Sequence, residues 1–206
     1  MQAQRCTKVR KIVQTGLFYA ELNELLTREL SHDGYGGCEV KTTPSRTEII
    51  IKAANSNVFA KEQGRRLQEI RYMILKRWNI PDEQLEILVD KIARRGLSAI
   101  NQLDSLRYKI IARLPARRAA YGVIRFVMDA GARGCEVVIS GKLRGARAQA
   151  LKFREGYMVK SGEPSKVFVD RAIGHIPMKQ AVVGIRVSIM LPDKQLPDVI
   201  KVNEAK

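Results

Sequence analysis

The residues of this chain best suited to chemistry with an anion stand at Ser140-Gly141-Lys142-Leu143-Arg144-Gly145-Ala146-Arg147, directly after the apolar run Val137-Val138-Ile139. Lys142, Arg144 and Arg147 are two or three residues apart, no acid interrupts them, and Gly141 and Gly145 lie among them. Cations at that spacing can reach successive phosphates, and a glycine lets backbone amides come close to a ligand. A solvated surface turn would carry the same residue types. A second cationic group argues for more than solubility: Arg117 and Arg118 are adjacent near the start of an expected helix, where the helix dipole disfavours positive charge. Arg125 follows Arg118 by seven residues and shares its face.

The chemistry these residues exclude is equally definite. A phosphate-binding P-loop needs Gly five residues before Gly141 and Ser or Thr after Lys142, but Glu136 and Leu143 occupy those positions. There is no G-x-G-x-x-G, no G-x-S-x-G, and no histidine near a plausible nucleophile, so no catalytic residue is assigned and no enzyme is expected. Cys6, Cys38 and Cys135 are odd in number and widely spaced, with only His32 and His175 to complete a zinc site. They are expected to be small buried hydrophobes in a reducing compartment, and no metal or cofactor is expected.

Lys and Arg number 37 against 21 Asp and Glu in 206 residues, a net charge of +16 with 45% hydrophobic residues. That is a folded chain whose charge asks for a polyanion, nucleic acid before membrane. The first residues open no apolar signal region, and no apolar run approaches the roughly 20 residues that span a bilayer, so a cytosolic protein without membrane contact is expected.

The elements that would position these cations can be read in order. Lys8, Arg10 and Lys11 form a basic lead-in, and Phe18, Leu22, Leu25, Leu26 and Leu30 predict an amphipathic helix over Leu17–Leu30 capped by Thr15. Cys38–Thr42 and Arg46–Ala53 predict a hairpin, with Ile49-Ile50-Ile51 inside a sheet. A short helix, a loop at Gly64 and a helix through Ile70, Ile74 and Trp78 follow. Leu85, Ile87 and Val89 then favour a strand over a helix. After a boundary near Ala93–Gly96, one helix runs to Leu114, and Pro115 breaks it before a second that reaches Gly131 with Phe126, Val127 and Ala130 inward. Strands are expected at Cys135–Ile139, Leu151–Lys160 and Lys166–Ile176, the last two around a turn at Ser161–Pro164. The final strand should put Val183, Ile185, Val187, Ile189 and Leu191 on one face, and Arg186 and Ser188 on the other.

The order helix, strand, strand, helix, loop, helix, strand up to residue 94 resembles a type II K homology domain. Such domains hold about four nucleotides of single-stranded nucleic acid against a G-x-x-G loop. Gly64 fills the second glycine position and Lys61 the first, so the close phosphate approach is altered, while Lys61, Arg65 and Arg66 can hold phosphates as charges. The fold class expected for the whole chain is α+β: this domain over residues 1–94, a second domain of two helices and about four strands over 95–191, and a tail over 192–206.

Five blocks carry a broader resemblance: Leu17-Phe18-Tyr19-Ala20-Glu21-Leu22-Asn23-Glu24-Leu25-Leu26-Thr27-Arg28-Glu29-Leu30, Pro44-Ser45-Arg46-Thr47-Glu48-Ile49-Ile50-Ile51, Ser105-Leu106-Arg107-Tyr108-Lys109, Arg117-Arg118-Ala119 with Tyr121-Gly122-Val123, and Gly134-Cys135-Glu136-Val137-Val138-Ile139-Ser140-Gly141-Lys142-Leu143-Arg144-Gly145. In this order they resemble the eukaryotic branch of the third universal protein family of the small ribosomal subunit. The resemblance implies a place in the subunit head among neighbouring ribosomal proteins, bound to ribosomal RNA, with Lys8, Arg10 and Lys11 among its RNA contacts. It implies that Arg117, Arg118, Lys142, Arg144 and Arg147 face mRNA where it enters the subunit. It also implies a cytoplasmic ribosome, with passage through the nucleus during subunit assembly. The tail Gln195-Leu196-Pro197-Asp198-Val199 matches the family but stops early. Two alternatives are an RNA-binding protein acting away from the ribosome and a DNA lyase, an activity credited to eukaryotic relatives. The lyase needs a lysine that deprotonates, and Arg133 stands in the turn where relatives often have one.

Overall fold

The computed structural model describes residues 7–43, 45–60, 64–143, 145–192 and 200. They fall in two compact units that meet in sequence between Ala93 and Arg94, each with its own hydrophobic core.

In the first unit, α1 (Lys8–Glu29) is followed by β1 (Tyr35–Thr42), β2 (Thr47–Ala53), α2 (Asn57–Ala60), α3 (Arg65–Trp78) and β3 (Leu85–Lys91). The three strands lie in the order β1-β2-β3, with β1 antiparallel and β3 parallel to the central β2. Ile49 and Ile51 point from that central strand into the core and are fully buried. Leu22, Leu26 and Leu30 from α1, and Ile70 and Ile74 from α3, meet them at helical spacing. The helix, two strands, helix pair and strand give the unit the K homology architecture expected from the sequence.

Three expectations change here. The helix expected from Leu17 begins at Lys8, so Lys8, Arg10 and Lys11 lie on its first turns. Thr15 does not cap it: its hydroxyl donates to the Lys11 carbonyl at 3.0 Å, one turn back. Val9, Ile12 and Val13 continue the apolar spacing but are exposed, so helix formation there goes without core burial. Finally, β1 starts at Tyr35 because two of the glycines expected to end the helix, Gly36 and Gly37, are absorbed into the strand at a register irregularity.

In the second unit, α4 (Ala99–Ile111), α5 (Ala116–Asp129), β4 (Gly134–Gly141), β5 (Gln149–Gly156), α6 (Pro164–Val167), β6 (Val169–Pro177) and β7 (Val182–Met190) follow one another. The sheet is antiparallel throughout, in the order β5-β4-β7-β6. One face carries Val137, Ile139, Val183, Ile185, Val187 and Ile189 against Leu103, Leu106, Val123, Ile124 and Val127 of the two helices.

The expected strand from Lys166 gives way to α6, which Pro164 opens from the first helical position. Phe126, expected inward, is 49% exposed, because the buried stripe of α5 runs through Ala119, Ala120, Val123, Ile124 and Val127. Ser188 and Met190 are buried although they lie on the sheet face away from the helices. Met158, Val159 and Phe168 cover that end of the face, packing on Val169 and Met190.

Cys38 and Cys135 are buried free thiols, and Cys6 lies outside the described residues. Burial, and after it the carboxylates of Glu155 and Glu136, push the Cys135 thiol up to about 12. Burial likewise raises Cys38. Both remain protonated, which suits packing rather than nucleophilic work. The described residues contain no cluster of metal ligands and no helix long and apolar enough to cross a membrane.

Candidate nucleic-acid interface

The direction of each element in the second unit decides where its cations meet. α5 packs on β4 and β5, and the Tyr121 ring lies 5.3 Å from that of Phe153, which pairs with Val137 in the middle of β4. α5 ends at Asp129, just before β4 begins at Gly134, so it runs antiparallel to β4, and Arg117 and Arg118 at its start lie toward the end of the sheet where Gly141 pairs with Gln149. α4 runs along β6. The Ala99 amide donates to Asp170 Oδ2 at 2.8 Å, and a Cβ placed on Gly174 would meet Leu103 at 2.6 Å. The end of α4 thus approaches Pro177 and the turn into β7.

Gly141 joins these parts. It has φ +141°, and a Cβ on it would stand 3.2 Å from both the Val182 carbonyl oxygen and the Val183 Cα. The sequence suggested that Ser140 and Gly141 open a ligand loop. Instead they end β4, and Gly141 is small so that the β4–β5 loop can lie against the β6–β7 turn. Leu143 and Ala116 pack against the core, which anchors the loop and the start of α5.

One end of the unit therefore gathers the described residues of segments 112–118, 142–148 and 178–181, with Arg113, Arg117, Arg118, Lys142, Arg147 and Lys179 and no Asp or Glu. Arg144 lies outside the described residues. The other six are exposed, and among the described residues none has an ion pair within 4.0 Å. α5 also directs its positive N-terminal end there.

Sequence reasoning missed Arg113 and Lys179. Arg113 has φ +62°; its amide donates to the Ile110 carbonyl at 2.9 Å, and the Leu114 amide donates to the Lys109 carbonyl at 3.1 Å. This is a Schellman ending for α4, with an arginine at the left-handed position usually taken by glycine. Its signal was present in the short stretch between Ile111 and Pro115, but the position depends on where α4 ends. Lys179 became visible only when the β6–β7 turn was placed at the same end.

The cations of the first unit have a different setting. Gly64 adopts φ +75° before α3, while Lys61 lies outside the described residues. Arg65 Nε donates to Glu69 Oε1 at 2.9 Å. Arg66 donates to the Glu29 carbonyl at 2.9 Å and stands 3.1 Å from the carboxylate of Asp33, which is 8% exposed. Arg66 thus joins the end of α1 to the start of α3, with its side chain still partly exposed. Lys8, Arg10 and Lys11 are exposed on α1. Up to Ala93 there are 15 Lys and Arg against 12 acids; from Arg94 onward there are 22 against 9. The second unit therefore holds 13 of the 16 excess charges.

Two compact α+β units, one of K homology architecture and one with an acid-free cationic end, make a molecule whose surface suits a polyanion such as nucleic acid. The family described as Ribosomal protein S3, C-terminal domain, matches residues 106–189. The small ribosomal subunit protein uS3 of Schizosaccharomyces pombe is 51% identical over 206 residues, covering 97% of this chain and 83% of that protein. The chain belongs to the eukaryotic uS3 family of small ribosomal subunit proteins, and is a structural ribosomal protein rather than an enzyme.

Proposed function

We propose that this chain binds ribosomal RNA in the head of the cytoplasmic small subunit, and that the basic end of its second unit borders the channel through which mRNA enters. Arg117, Arg118, Lys142, Arg144 and Arg147 hold the phosphates of the incoming strand without reading its bases, which keeps the strand single and in its track. The observation that supports this reading is the convergence of three acid-free segments on one end, with their described cations left unpaired.

Residues 1–94 serve as the K homology domain and 95–191 as the mRNA-facing domain, with 192–206 as a tail. In the first, Lys61, Gly64 and Arg65 contact RNA at the loop, Arg66 steadies it, and Lys8, Arg10 and Lys11 add ribosomal RNA contacts. Neighbouring ribosomal proteins complete the site, and the chain passes through the nucleus while subunits assemble.

The test is Arg117→Ala combined with Arg118→Ala in cells. Subunits should assemble and hold mRNA less firmly on the side where it enters, measured by toeprinting and crosslinking. Failed assembly, with normal mRNA contacts in the subunits that survive, would sink the reading.

A further inference from the structure

The helices of the second unit cover one face of its sheet, and the other face carries a separate arrangement of charge. Across the strands, Lys152 of β5 stands opposite Val138 of β4, Val138 opposite Arg186 of β7, and Arg186 opposite Ile173 of β6. Two residues along, Arg154 faces Glu136, Glu136 faces Ser188, and Ser188 faces Arg171. With strands about 4.8 Å apart, Lys152 and Arg186 lie about 10 Å from each other and Arg154 and Arg171 about 14 Å.

All four cations are exposed, and among the described residues none has an acid within 4.0 Å. The acid within these two rows, Glu136, is bound by Lys160 at 2.8 Å. An antiparallel sheet commonly leaves one face to water, but such a face ordinarily mixes charges of both signs. Here Arg186 occupies a central strand, with Ile173 beside it 66% exposed.

We infer that the part of this sheet face that Met158, Val159 and Phe168 leave uncovered is a second RNA-binding surface, distinct from the basic end, and that its occupant is a double-helical segment of ribosomal RNA. Four unpaired cations on a broad surface complement a phosphate backbone, whereas the centres of protein interfaces are depleted of charge. The outward positions of the four strands include no Phe, Tyr or Trp on which the bases of a single strand could stack. A shallow A-form groove with its flanking phosphates is the RNA shape that a flat basic face can meet.

The experiment places a photoreactive benzoylphenylalanine at Ile173 in the full-length chain and assembles it into small subunits. Irradiation should crosslink that position to ribosomal RNA. A crosslink to a protein or to mRNA, or none at all, overturns the proposal. In parallel, Lys152→Glu with Arg186→Glu should weaken binding of the full-length chain to small-subunit ribosomal RNA by about tenfold or more. Lys152→Arg with Arg186→Lys should restore it. Should the reversed charges prevent folding, Arg154→Ala with Arg171→Ala at exposed positions gives the same reading through a flatter salt dependence, by about 0.7 to 0.9 for each lost phosphate contact. Unchanged affinity and slope in the folded variants also overturn the proposal.

Discussion

In the first unit an arginine commonly has an acid beside it: Arg28 has Glu24, Arg65 has Glu69, Arg66 has Asp33, Arg71 has Asp82 and Arg77 has Glu21. Along the basic end of the second unit, Arg113, Arg117, Arg118, Lys142, Arg147 and Lys179 have no such partner among the described residues. The contrast is one of availability rather than of stability, since exposed ion pairs contribute only about 0 to 1 kcal/mol. A paired guanidinium has part of its charge and donors already engaged, whereas an unpaired one offers all of them to a phosphate. The first unit uses cations to join its own elements, as Arg66 does, while the second concentrates the net charge.

The largest effect that would test this contrast is expected at Arg66. Arg66→Ala leaves the buried Asp33 carboxylate uncompensated. Because the arginine is itself 40% exposed, the loss is discounted to about 2 kcal/mol in urea unfolding of the isolated chain. A loss under about 0.5 kcal/mol would remove the distinction between joining cations and available ones. For Arg117→Ala with Arg118→Ala in the same chain, stability should stay within about 0.5 kcal/mol. The salt dependence of single-stranded RNA binding should flatten by about 1.4, roughly 0.7 per arginine. A stability loss like that of Arg66 would show that these two are structural after all.

Arg113→Gly should raise stability by about 1 kcal/mol, because glycine fits the left-handed position, and should flatten the salt slope by about 0.7. An unchanged slope would remove Arg113 from the basic end. The smallest change is expected for Arg65→Ala, which gives up an exposed pair with Glu69 and should cost about 0.4 kcal/mol by thermal melting.

Much of the fold could be read from periodic burial. Leu22, Leu26 and Leu30 and the alternation from Val183 to Ile189 each state one face of one element, and the Ile49–Ile51 run states a strand apolar on both faces. Reading failed where an element forms without a core to declare it, as in the first turns of α1. It also failed where burial comes from a segment distant in sequence, as Phe168 covers Met190. Phe126 misled because it borders the buried stripe of α5 and its size suggested burial.

By itself the sequence determined that two α+β units would form and that the charge excess suits a polyanion, and it singled out Arg117, Arg118 and the residues after Ile139 as candidate cations. Residue type and local spacing suffice for that, because helix and strand periods are short-range properties. Only the tertiary structure decided which cations are available. It tied Arg66 to Asp33, gave Gly141 the task of joining two loops, and brought Arg113 and Lys179 to the same end as Arg117. Ion pairs, close approaches and shared ends depend on the direction in which packed elements run, and that is set by burial across the whole unit.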